Sequence, residues 1–475
     1  MARIPVFMGI DLGTTGIRIM VCDENGKVIK SSSRGVEDSF ISSENPKVSE
    51  QNPIMWEPAL KDALQDVLGS AGIYDLKAVC CDSTSGTIIP VDRDFRPVHN
   101  AILHNDTRAN EESKYINEYT ALSVKPSFSL SKILWIKRNR EDVYEKTYKF
   151  IHAADYIKGL ISGEFNTTDF SNAVKTGYDL ANEKWPDEIE RILRISKDKL
   201  PSVVRTGDIF GELKDDIQRE AGIKDRVSIV AGATDSTTGF YSSGARIPGD
   251  WNTTLGTVLG IKGISEKYIN DPEGLFYAHR HPEGFWLPGA ASSSGGEILR
   301  AFFGDRVQEY DRKASDLLPT GALIYPLVHK GEKLPFINND ATGFIDMNIC
   351  DPLYLFKGIL EGLAFVERMT YEKVERLGYS VSDKVFSMGG GTSSLAWMKV
   401  RASAMKRNVY KAKITETAFG SCVIAAGKVH YKNLSEAITN MVSIDRVFEP
   451  DKDVTAMYDE IYERFVATCK TRGLF

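Results

Sequence analysis

No run of eighteen apolar residues occurs in this 475-residue chain, so a membrane-crossing helix is not expected. Its six cysteines (Cys22, Cys80, Cys81, Cys350, Cys422, Cys469) are scattered without metal-ligand spacing. Of the seven histidines only His279 and His281 stand close together, and no HExxH-type set is present. A protein-ligated zinc site is therefore not expected. Free thiols within apolar segments behave as small hydrophobes and fit a reduced, cytoplasmic protein. An excess of basic charge is also missing: the formal net charge is -6, which argues against nucleic acid or an anionic membrane surface as partner. The opening MARIPVFMGIDLG runs straight into a strand pattern and does not resemble a leader peptide. No short-period repeat or low-complexity tract appears. What remains is an ordinary globular balance, 42% hydrophobic and 26% charged, at a length that predicts two or three domains.

Two Gly-Thr turns stand out, about 243 residues apart. The first is Gly9-Ile10-Asp11-Leu12-Gly13-Thr14-Thr15, and the second is Asn252-Thr253-Thr254-Leu255-Gly256-Thr257. Glycine lets backbone N–H groups approach a phosphate without an intervening Cβ, and threonine adds a hydroxyl donor. Each turn joins two apolar strands: Val6 to Leu12 and Ile17 to Asp23 form a hairpin, and Asn25-Gly26 turns into a third strand. Walker loops and dinucleotide fingerprints lead from a glycine loop into a helix, so helix-terminus phosphate binding is not the expected mode. A small-residue stretch, Ser242 to Gly249, marks the boundary between a first domain, 1–245, and a second, 246–475. Helical patterns occupy 56–68, 353–378, 395–406 and 454–470, while 100–250 reads as an elaboration of the first domain.

Phosphoryl transfer needs phosphates held, charge neutralised by Mg²⁺ and an acceptor hydroxyl aimed and deprotonated. Gly13, Thr14 and Thr15 from one half and Gly256 and Thr257 from the other can clasp a polyphosphate. Asp11 ends a buried strand and is either a Mg²⁺ ligand acting through water or a turn-capping carboxylate. Asp235 follows the strand Val227–Ala231 and is either a general base, beside the metal, or the N-cap of the segment after it. Arg18 offers positive charge to a phosphate or forms a surface ion pair. Gly389-Gly390-Gly391 permits a flat ring to pack on backbone, with Trp397 along the same nucleotide or in the core. The cluster Asp82 to Thr87, with Thr84 and Ser85, and the pair Asn105-Asp106 suit reading sugar hydroxyls, or satisfy their own backbone.

Together these strings resemble the FGGY carbohydrate kinase family: GIDLGTTGIRIMV at 9–21, AILHNDTRA at 101–109, AGATDSTTGFYSSGA at 231–245, TTLGTVLGIKG at 253–263, MGGGTSSLAWMK at 388–399 and TAFGSCVIAA at 417–426. The resemblance implies an α/β fold of two actin-like (ribonuclease-H-like) ATPase domains with a cleft between them, and ATP- and Mg²⁺-dependent phosphorylation of a sugar or polyol. It implies Asp235 as base, Asp11 and Asp235 at the metal, and Asp11, Asp235 and Ser85 at the sugar, with Thr84, Asn105 and Asp106 beside it. It implies Gly13, Thr14, Thr15, Arg18, Gly256, Thr257, Gly390, Gly391, Ser394 and Trp397 around ATP. The string DSTSGTIIPVD at 82–92 is similar to a D-ribulokinase-like branch, where xylulokinases carry Gln-Met-His-Gly and glycerol kinases Arg-Glu. Two departures are Ser394, where the branch has asparagine, and His104, where relatives have tryptophan or tyrosine. The expectation is a cytoplasmic, homodimeric ketopentose kinase acting on D-ribulose, with D-xylulose, another sugar, polyol or aldonate, or a non-catalytic actin-like regulator as alternatives.

Overall fold

The structure is a computed structural model that describes residues 4–69, 74–269, 271–314, 318–346 and 350–475. The chain forms two compact units: residues 1–242 with 416–441, and residues 243–415 with 442–475.

In the first unit, β1 (Ile4–Leu12) is apolar on both faces and almost wholly buried, the pattern of a central parallel strand. It pairs antiparallel with β2 (Gly16–Asp23), which continues into β3 (Val28–Gly35) through the Asn25-Gly26 turn. Gly26 takes φ +73°, and a Cβ there would sit 1.9 Å from the Met441 carbonyl oxygen. On its other edge β1 pairs in parallel with β4 (Tyr74–Ser83). Beyond come β5 (Ile209–Glu212) and β6 (Ser228–Val230), giving the six-stranded order β5-β6-β4-β1-β2-β3, with β6 parallel to β4. The helix Trp56–Leu68 buries Trp56, Leu60, Ala63, Leu64 and Val67, the face its periodicity predicts. The region 100–250 contributes two strands, Ala101–Ile102 and Lys149–His152, to a five-stranded sheet whose spatial order is Phe40–Ile41, Glu50–Gln51, Ala101–Ile102, Ile88–Val91 and Lys149–His152.

The second unit repeats the plan. Its sheet runs β9-β10-β8-β7-β11-β12-β13, from β7 (Trp251–Leu255), β8 (Leu259–Gly263), β9 (Tyr277–Arg280), β10 (Trp286–Ala291), β11 (Lys384–Met388), β12 (Asn408–Ala412) and β13 (Ile444–Phe448). As in the first unit, a tight turn joins the central strand β7 to an antiparallel neighbour, and a parallel strand, β11, lies on the other side. Helices Pro352–Arg376, Leu395–Met405 and Lys452–Thr471 fall where the periodicity predicts them.

One assignment needs correction. The expected division at 245/246 placed everything after it in the second half, yet 416–441 belongs to the first compact unit. Its helix Thr417–Val429 is rich in small residues and buried from Ala418 to Gly427. Those residues permit backbone-close packing: a Cβ on Gly9 of β1 would lie 1.8 Å from the Ala418 carbonyl oxygen, and one on Gly420 would lie 1.9 Å from that of Thr238. Nothing in the local pattern of a buried helix says which sheet it covers.

Candidate active site

Three carboxylates end three adjacent parallel strands of the first unit. Asp11 on β1 stands in register with Asp82 on β4. Ser83 bridges Thr234, which sets Asp235 just past the end of β6. Ligands of open α/β sheets bind at these carboxyl ends. Asp235 opens the helix Asp235–Ser242 and accepts the Ser236 N–H at 2.7 Å, while the carbonyl of Thr234 takes the first helical bonds. Asp11 is buried and accepts from Arg18 Nη1 at 3.2 Å, a cross-strand pair whose arginine is half exposed.

Asp82 was expected only as part of a sugar-reading cluster, and its environment sets it apart. The side chain is fully buried; Oδ2 accepts the Ser421 hydroxyl at 2.5 Å, and Oδ1 has no hydrogen-bond partner. Burial, then the Asp11 charge, push the Asp82 carboxyl well above the usual carboxylate range, with Asp235 adding and Ser421 opposing. Burial beside Asp11 thus favours the neutral form of Asp82, the form that adds no third negative charge to its neighbours. The signal was there: an acid terminates the apolar run Val79-Cys80-Cys81.

The turn after β1 is closed by Gly13 N–H to the Gly16 carbonyl at 2.9 Å. The Thr14 carbonyl accepts from Gln51 Nε2 at 2.8 Å. The hydroxyls of Thr14 and Thr15 engage no described group, which leaves the donors a phosphate needs.

The sugar candidates divide. Ser85 has a hydroxyl without a partner among the described residues, and Thr84 Oγ1 meets Thr87 Oγ1 at 3.2 Å. Asn105 is exposed. Of the two readings open for Asp106, the hydrogen bonds favour the loop-satisfying one, because its carboxylate is engaged internally. It accepts from Arg108 Nε at 3.0 Å and Nη2 at 2.6 Å and from Ser49 N–H at 2.7 Å, so it fixes the loop instead. His104 is partly buried with Nδ1 unpartnered, and burial, then Lys132 and Lys175, hold its imidazole below the ordinary range. Sequence reasoning missed those two lysines, since they lie on segments 132 and 175 residues along that carry no turn motif. Lys132 Nζ donates to the carbonyls of Gly86 at 2.8 Å and Leu103 at 2.5 Å, and burial lowers its pKa to about 7. Lys175 Nζ donates to the Ser85 carbonyl at 3.2 Å.

In the second unit the turn after β7 carries Gly256 and an exposed Thr257, whose carbonyls accept from Gly296 and Glu297 N–H groups at 2.9 and 3.1 Å. Gly389 follows β11 at φ +89°, directly over Leu255 of β7. A Cβ on Gly390 would meet nothing within 4 Å, whereas one on Gly391 would lie 2.6 Å from the Trp397 ring. Trp397 is only 2% exposed, and its indole packs against the glycine turn from behind. Ser394 is likewise structural: its hydroxyl donates to Asp311 and accepts the Trp397 N–H at 3.0 Å, capping the helix Leu395–Met405.

Residues 6–241 match the N-terminal domain, and residues 251–428 the C-terminal domain, of the FGGY family of carbohydrate kinases. The chain belongs to that family. Over 480 residues it is 25% identical to a xylulose kinase of Bacillus subtilis, covering 96% of this chain and 95% of the relative. A xylulose kinase structure from Brucella ovis superposes with a TM-score of 0.89 at 23% identity, covering 98% and 99% of the two chains. A gluconate kinase structure from Lactobacillus acidophilus follows with a TM-score of 0.85 at 19% identity, 98% of each chain being covered. The FGGY kinase described here is thus an ATP-dependent sugar kinase with two actin-like α/β domains. Among the described residues, no helix is long and apolar enough to cross a membrane.

Proposed function

We propose that this FGGY kinase phosphorylates a terminal hydroxyl of a ketopentose, D-ribulose first and D-xylulose next. The observation that carries the reading is the row of strand ends bearing Asp11, Asp82 and Asp235, beside the open hydroxyl of Ser85. The Asp-Ser-Thr-Ser-Gly-Thr string at 82–87 favours ribulose, and the names of the relatives favour xylulose.

Asp235 accepts the proton of the acceptor hydroxyl as that oxygen attacks the γ-phosphorus of ATP. The new O–P bond forms while the bond from γ-phosphorus to the β,γ-bridging oxygen breaks, and ADP leaves with that electron pair. The proton then passes from Asp235 to solvent. The hydroxyls of Thr14 and Thr15 and the turn N–H groups meet phosphate oxygens in the first unit. Gly256, Thr257 and the open space over Gly390 offer backbone to the nucleotide in the second. The carboxylates of Asp11 and Asp235 are hard oxygen donors suited to Mg²⁺, and no group of three His, Cys, Asp or Glu among the described residues could hold a metal alone. A Mg²⁺ ion held by those two carboxylates would neutralise charge on the transferring group.

Asp235→Asn keeps the shape of the side chain but removes the base. Sugar-stimulated ADP formation should fall by about 10²–10⁴-fold while ATP binding by calorimetry persists. Wild-type turnover in that variant would remove Asp235 from the role. A panel of pentuloses, hexuloses, polyols and aldonates identifies the acceptor; a response to gluconate or glycerol alone would overturn the ketopentose reading.

A further inference from the structure

Lys175 lies near these strand ends, and the mechanism above does not use it. It lies in the short turn Val174–Thr176, which ends at Gly177 with φ +88°. The turn is pinned from behind. His152, fully buried at the end of the strand Lys149–His152, meets Thr176 Oγ1 through Nε2 at 2.9 Å. The other ring nitrogen of His152 meets Asp155 Oδ2 and Thr168 Oγ1, each at 3.0 Å, and Lys158 completes the Asp155 carboxylate at 2.8 Å. A buried network of this kind holds the neighbouring Lys175 backbone in one place.

The ammonium itself is under-used. It carries three donors and no acceptor. One donor reaches the Ser85 carbonyl at 3.2 Å, and the Phe128 ring lies 5.6 Å away. No carboxylate forms an ion pair with it, and no other hydrogen bond is made among the described residues. Burial lowers its pKa, with the Asp235 carboxylate opposing that effect and Lys125 reinforcing it. Lys132 makes the contrast: its ammonium is bonded to two backbone carbonyls and faces the loop interior. A half-buried cation with spare donors is costly unless something completes it.

The groups at these strand ends sort by polarity. Asp235 and Asp11 can only accept hydrogen bonds, and Lys175 can only donate them. A hydroxyl whose proton is removed belongs at the carboxylates. Opposite it, an oxygen with lone pairs and no hydrogen matches Lys175. An α-hydroxy ketone supplies both; the corresponding hydroxyl of a polyol also accepts from an ammonium, but it brings a hydrogen that must find an acceptor of its own. We propose that Lys175 reads the carbonyl oxygen of the acceptor, and so selects open-chain ketoses over the corresponding polyols. The inference rests on the ketose-kinase reading and names the residue that enforces it.

The test compares each active pentulose with its reduced polyol on the purified full chain. Wild-type kcat/KM should favour the ketose by about 10- to 100-fold, the scale of a hydrogen bond to a charged donor. In Lys175→Met the KM for ketose should rise about tenfold with the KM for ATP within twofold, and the ketose-to-polyol ratio should fall toward one. Lys175→Arg, which keeps donors, should retain part of the ratio, and thermal melting should show both variants folded. If Lys175→Met misfolds, Lys175→Gln replaces it. An unchanged ratio in a folded variant overturns the proposal, as does equal use of ketose and polyol by the wild type. If no ketose but an aldonate is phosphorylated, the ketopentose reading falls. A large KM increase for the aldonate in Lys175→Met would then reassign Lys175 to a carboxylate and overturn its assignment to a carbonyl.

Discussion

Adding one methyl group at Gly420 should damage catalysis from the far side of the base. Gly420 packs its Cα against the helix Asp235–Ser242, and a Cβ built there would sit 1.9 Å from the Thr238 carbonyl oxygen. Cβ atoms are not found closer than 3.0 Å to such atoms, so the two helices must part by at least about 1.1 Å. Retreat in the other direction is closed, because Gly9 on β1 already lies against Ala418 of the same helix. The displacement falls on the turn that begins with Asp235. A misplacement of about 1 Å costs on the order of 10²-fold in rate, and overpacking costs about 1–3 kcal/mol of stability. In Gly420→Ala, a coupled assay of sugar-dependent ADP formation should therefore show kcat lowered by about 10²-fold, with a lower melting temperature. Wild-type kcat and melting in this variant would refute the reasoning, since the helix could not then be packed as described.

Gly390 is the opposite case. The protein leaves room for a Cβ there, so Gly390→Ala should melt like the wild type. Its KM for ATP should rise if the nucleotide occupies that space, and an unchanged KM would move the adenosine elsewhere. Lys132 gives a pH signature: unfolded, the lysine keeps its proton up to pH 10.5, but in the fold only up to about 7. Between those values the unfolded state binds more protons, so stability should rise with pH by a few kcal/mol, on the order of 1.4 per unit. Lys132→Met should flatten that rise in denaturant titrations from pH 7 to 10, and an unaltered slope would exclude Lys132 as its source.

The strand-and-turn elements were the most legible in sequence, because an apolar strand broken by Gly-Thr or Asn-Gly has few alternatives. The hairpin of β1 and β2, the second turn after Leu255 and the three later helices follow from such local signals. Asp11 and Asp235 could be placed for the same reason: an acid at a strand end is conspicuous. Asp82 was visible in that way too, but only register across the sheet shows that it stands beside Asp11. Lys132 and Lys175 carry no local mark, since a lysine on a helix or turn reads as solvated until the fold buries it. Ser394 and Trp397 stayed ambiguous in sequence because proximity to a glycine triplet is compatible with facing a ligand or supporting the turn from beneath. For Asp106 the sequence left two readings open, and the engagement of its carboxylate by Arg108, two residues away, is visible only in the fold.

The return of residues 416–441 to the first unit has a consequence for the order of synthesis. The sheet that carries Asp11, Asp82 and Asp235 cannot be covered when residue 242 emerges from the ribosome, because its missing helix lies nearly 200 residues further on. At 5–20 residues per second that is roughly 10–40 s during which an apolar sheet face waits uncovered. The catalytic half, although encoded first, is finished almost last.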